Sequence, residues 1–149
     1  MDLFDWMFIA SGFIFFVSMI SAILLMAKNK MKPVKIFGPI LAVLMLPIIA
    51  VLINYIVFGK DRRFIIYLIL ILIYLMAETL LDMVFKIDFR SKPSTHVPYI
   101  ILEWGAAFSF LFGTITLDTT IGWIIAVFFW TFICALVYYI INRRKINKE

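Results

Sequence analysis

Residues 34–58 read VKIFGPILAVLMLPIIAVLINYIVF and are followed at once by Gly59-Lys60-Asp61-Arg62-Arg63. The run carries a single charge, Lys35, at its start. A bilayer core about 30 Å thick takes about 20 apolar residues of helix, so this run is long enough to cross one. Its polarity does not alternate along the chain, which argues against a strand of a membrane barrel. Pro47 sits inside it and frees the carbonyl of Val43, so the helix is expected to kink there.

The same reading extends in both directions. Leu3–Ala27 precedes it, and Phe64–Phe85, Val97–Leu117 and Thr120–Ile141 follow, each bounded by a short polar break. The predicted fold is an all-α integral membrane protein, a single five-helix polytopic domain over residues 1–149. Composition agrees: 65% of the residues are hydrophobic and 15% charged, whereas a soluble domain is about 45–50% apolar. Fusing the last two runs into a non-crossing hairpin would leave Asp118 in hydrocarbon, where a carboxylate is costly.

Lys and Arg favour the cytoplasmic side of a membrane. With five crossings, eleven of the 14 basic residues fall on one side: Lys28, Lys30, Lys32 and Lys35, then Lys86, Arg90 and Lys92, then Arg143, Arg144, Lys145 and Lys148. Lys60, Arg62 and Arg63 fall on the other. This predicts an N-terminus outside, a C-terminus in the cytoplasm, and residence in the plasma membrane. The net charge of +5 is thus read as a topology signal rather than a nucleic-acid footprint. Asp2 and Asp5 stand where a secretory signal would be basic, so the first run reads as a retained helix.

The loops are too short for a soluble domain, and no phosphate-binding loop, nucleophile elbow or zinc motif occurs. With one cysteine and one histidine, the sequence calls for no cofactor. Chemistry is therefore expected inside the apolar runs. Glu78 and Asp82 lie in the third and Glu103 in the fourth. At 1.5 Å per residue Glu78 lies about 10 Å, and Glu103 about 9 Å, from the cytoplasmic ends of their helices. Charged groups at such depth face partners or cavities. Tyr67, Tyr74, Glu78 and Asp82 fall near one face of the third helix, with Tyr74 one turn from Glu78 and able to hydrogen-bond it. His96, at the start of the fourth run, is a further candidate. Pro98 is expected in that helix's first turn, with Ser94 or Thr95 as its cap.

Gly105, Ser109 and Gly113 repeat at spacing four, a pattern that lets helices approach closely in lipid, within the chain or against another copy. Gly122 and Ala126 suggest the same on the fifth helix. Asn54 and Tyr55 read as interfacial, as do Trp6 and Trp123. The leading functional expectation is a transport or ligand-binding membrane protein that takes a proton, a cation or an amine at Glu78 and Glu103, with Asp82, Tyr74 and His96 beside them. An intramembrane lipid-modifying enzyme is the weaker alternative, because few polar groups converge. An accessory subunit of a membrane complex is the third. The partners expected are the lipid bilayer and a homo-oligomer or membrane partner, with no nucleic acid.

Overall fold

The computed structural model describes residues 1–28, 30, 34–84 and 93–146, and the side chains of these except at 82, 93–96 and 143–146. Among the described residues there are five helices and no strand. They are α1 (Leu3–Ala27), α2 (Phe37–Val57), α3 (Arg62–Thr79), α4 (Pro93–Leu117) and α5 (Thr119–Ile146). A π-helical turn, Leu80–Val84, continues α3 directly after Glu78 and Thr79.

Local chemistry sets several helix ends. At the start of α1, Asp2 accepts from the Asp5 amide at 2.8 Å and Asp5 accepts from the Asp2 amide at 3.1 Å. This reciprocal box satisfies two amides that a helix start leaves unpaired. Asp61 begins α3 by accepting from the Arg63 amide at 3.1 Å. Asp118 begins α5 by accepting from the Ile121 amide at 2.9 Å. At the end of α2, the Gly59 amide donates to the Ile56 carbonyl at 3.3 Å and the Lys60 amide to the Tyr55 carbonyl at 2.9 Å. Gly59 has φ +63°, so this is a Schellman ending with glycine in the left-handed position that other residues disfavour. α4 starts at Pro93, earlier than expected, which places Ser94, Thr95 and Pro98 inside the helix instead of at its cap and first turn. Proline still opens the helix, because Pro93 lacks only an amide that would be unpaired there.

Each helix packs against its neighbours in sequence, α5 closes the ring on α1, and α1 also reaches across to α4. The odd-numbered helices run one way and the even-numbered ones the other. Asp5 of α1 meets Tyr55 near the end of α2, and the Asn142 side chain near the end of α5 reaches the Ala27 carbonyl at 3.5 Å. Phe8, Phe15, Phe110, Leu68 and Ile48 fill the interior and are wholly buried. Val43, Leu46, Val127 and Trp130 point outward and are 64–68% exposed. A helix that is apolar inside and out suits lipid, not water.

Leu3–Ala27, Phe37–Val57, Val97–Leu117 and Thr119–Asn142 are each long and apolar enough to cross a membrane. α3 is 18 residues long and carries Arg62, Arg63 and Glu78. Its charges set it apart from the other four. The architecture is consistent with a multi-pass membrane protein.

The small residues of α4 and α5 divide. A Cβ on Gly113 would lie 2.6 Å from the ring of Phe8, and one on Gly122 would lie 2.6 Å from the backbone of Ile115. Ser109 is buried and donates to the Gly105 carbonyl at 2.7 Å. Gly105 departs from the expected stripe, because a Cβ there meets nothing within 4 Å. The spacing of four is real, but α4 turns its Gly105 edge away from its neighbours.

Candidate functional site

Glu78 and Glu103 are 4% and 6% exposed, and both line one cavity of about 150 Å³. All five helices contribute to its wall. Met19, Ala22 and Ile23 come from α1, Leu41 from α2, and Leu136 and Ile140 from α5. Tyr99 and Tyr139 bring hydroxyl-bearing rings to an otherwise mostly apolar lining. The cavity lies toward the bundle end that holds the last turns of α1 and α5 and the first turns of α2 and α4. The exposed Lys28, Lys30 and Lys35 flank the same end.

α4 supplies two of the polar groups because Tyr99 and Glu103 are four residues apart and share a face. The Tyr99 hydroxyl donates to Glu78 Oε2. The Tyr74 and Tyr99 hydroxyls are 3.1 Å apart. A phenol has one proton to give. With that of Tyr99 on Glu78, its oxygen accepts from Tyr74, and a chain Tyr74–Tyr99–Glu78 runs through the interior. The Met19 sulfur, 3.5 Å from the Tyr74 hydroxyl, is then its packing neighbour. Tyr74 therefore does not bond Glu78 as its spacing suggested. Its ring axis carries the hydroxyl across to α4, and Tyr99 makes the contact.

Toward the opposite end the interior becomes aromatic. Phe15 packs edge-on against Tyr74 at 5.7 Å and, tilted, against Phe110 at 5.1 Å, and Phe110 meets Phe8 at 5.5 Å. All three phenylalanines have no exposed surface. They fill the bundle between the cavity and a second polar cluster built on Asp5, Tyr55 and Lys60.

The side chains of Asp82 and His96 lie outside the described residues. Among the described residues no group of three or more metal-ligating side chains gathers. Trp104, next to Glu103, packs at 5.9 Å from Phe129 and 6.1 Å from Phe132 and does not line the cavity. Tyr55, expected at the interface, is wholly buried with its hydroxyl 2.6 Å from Asp5 Oδ1. Tyr99 was not singled out by its sequence context. Its spacing of four from Glu103 is the signal that would have found it. The Asp2-x-x-Asp5 box was likewise a readable pattern, but its bond to Tyr55 spans 50 positions and has no local trace.

No protein-family model, curated protein or solved structure matches the chain.

Proposed function

We propose that this is a membrane protein with five crossings that binds a small organic amine in the five-helix cavity. The ammonium group sits against Glu78 and Glu103, and the apolar body lies against Met19, Ile23, Leu41 and Leu136. The observation that carries the reading is that two buried carboxylates line one mostly apolar cavity. A cavity of about 150 Å³ has the size of one known to hold benzene. A proton needs no such apolar volume. A metal ion is served better by several hard ligands than by hydrocarbon walls.

Two features support the fifth crossing. α3 starts beside Tyr55, where Phe64 packs at 5.6 Å, and ends at the cavity, so it runs between the same bundle ends as its neighbours. The basic end of the bundle faces the cytoplasm by the Lys and Arg asymmetry, which makes the cavity accessible from within. The reading is of a plasma-membrane protein. Transport would require Phe8, Phe15 and Phe110 to part.

The test compares benzylammonium with benzyl alcohol by titration calorimetry on the detergent-solubilised protein. A charge-assisted hydrogen bond contributes about 1.5–3 kcal/mol, so the amine should bind about 10–100-fold more tightly than the alcohol. Equal affinity for the two would defeat the assignment.

A further inference from the structure

The second polar cluster has the form of an ammonium-binding site that is already filled. Asp5 is only 4% exposed although it belongs to the first turn of a helix. The ammonium of Lys60 rests on Asp5 Oδ1 and stands 4.0 Å from Asp2 Oδ2. It lies over the Tyr55 ring at 4.6 Å from the centroid and 5.8 Å from that of Phe64. Tyr55 donates to the same Asp5 oxygen at 2.6 Å. A carboxylate below and aromatic faces beside are the elements that recognise an organic cation.

The site is preformed by two backbone devices. The reciprocal Asp2–Asp5 box fixes the carboxylate, and the Schellman ending turns Lys60 back over the last turn of α2. Lys60 enters from a loop, so its side chain is a tethered occupant and not part of the frame. None of these residues lines the five-helix cavity.

We propose that Asp5, Tyr55 and Phe64 form a second site, for a primary alkylammonium ion at the bundle end opposite the cavity, with the side chain of Lys60 as its resident stand-in. A free amine that displaces Lys60 releases the Gly59–Asp61 loop from α1. The site stands whether or not the cavity takes an amine.

Lys60→Ala removes Cγ to Nζ, a fragment with the atoms of n-propylammonium. The variant should lose roughly 4–8 °C of Tm in detergent. Adding n-propylammonium should return at least half of that loss. The Asp5→Asn, Lys60→Ala double variant reports binding elsewhere, and in the native chain the tethered Lys60 competes for the site, so both should rise less than Lys60→Ala does. 1-Propanol, the neutral isostere, should not rescue. Equal rises in all three proteins, or equal rescue by propanol, would overturn the proposal. Should Lys60→Ala fold only when n-propylammonium is present, the proposal stands; should neither amine nor propanol recover it, the proposal fails.

Discussion

The hydroxyl of Tyr99 donates to the carboxylate of Glu78, joining the start of α4 to the end of α3 inside the bundle. One turn further along α4, Glu103 turns into the same cavity. The contact therefore does two things. It stabilises a carboxylate that lipid would not, and it holds the two acids in one apolar space.

Removing that hydroxyl should be costly. Tyr99→Phe leaves Glu78 with one donor fewer in a buried setting, and a buried polar group deprived of a partner costs about 1–3 kcal/mol. Thermal unfolding in detergent should show the loss. Tyr74→Phe removes a donor to Tyr99, not to the carboxylate, and should cost less, near the 0.5–1.5 kcal/mol typical of a neutral hydrogen bond. An equal loss in both would argue against the order Tyr74–Tyr99–Glu78.

The three glycines of the α4–α5 hairpin should respond differently to alanine. Gly122→Ala drives a Cβ to 2.6 Å from the Cα of Ile115, where only the backbone can yield, so the loss should be the largest. Gly113→Ala meets the far end of the Phe8 ring, which can shift, and overpacking of that kind costs about 1–3 kcal/mol. Gly105→Ala enters open space in a helix and should stabilise by about 0.5–1 kcal/mol. Midpoints of denaturation in a fixed detergent would rank them.

The clasp at the other end gives a separate forecast. Asp5→Asn leaves the Lys60 ammonium without its main counter-charge. Breaking one partner of a buried ion pair costs about 3–5 kcal/mol, and the 27% exposure of the Lys60 side chain places this case at or below the lower end. Gly59→Ala should cost about 1 kcal/mol through its left-handed φ alone.

Much of the architecture is readable from residue order, because hydrophobic runs and the polar breaks between them are local signals. The edges of α1, α2 and α5 fall within a few residues of the expected ones. Glu78 and Glu103 stand out in the sequence as charges where charge is expensive. What could not be read is pairing between helices. The Tyr55–Asp5 and Tyr99–Glu78 bonds join residues 50 and 21 positions apart. Gly105 shows the converse: a small residue at the right spacing packs closely only if the helix turns that edge toward a neighbour.

Crossing number and orientation can be measured together. A reporter active only outside the cytoplasm should be active when inserted at Gly59–Lys60 and at Asp118–Thr119, and silent when fused after Ile146. Activity at Gly59–Lys60 with silence at Asp118–Thr119 would mean that α3 does not cross.

The central claim is that Glu78 and Glu103 hold the charge of an amine. Its most direct test is the benzylammonium titration repeated on a folded Glu78→Gln, Glu103→Gln double variant, which keeps the shape of the cavity and removes its carboxylates. Affinity should fall by about 10–100-fold, to the level of benzyl alcohol. A folded double variant that binds benzylammonium as tightly as the native chain would contradict the account.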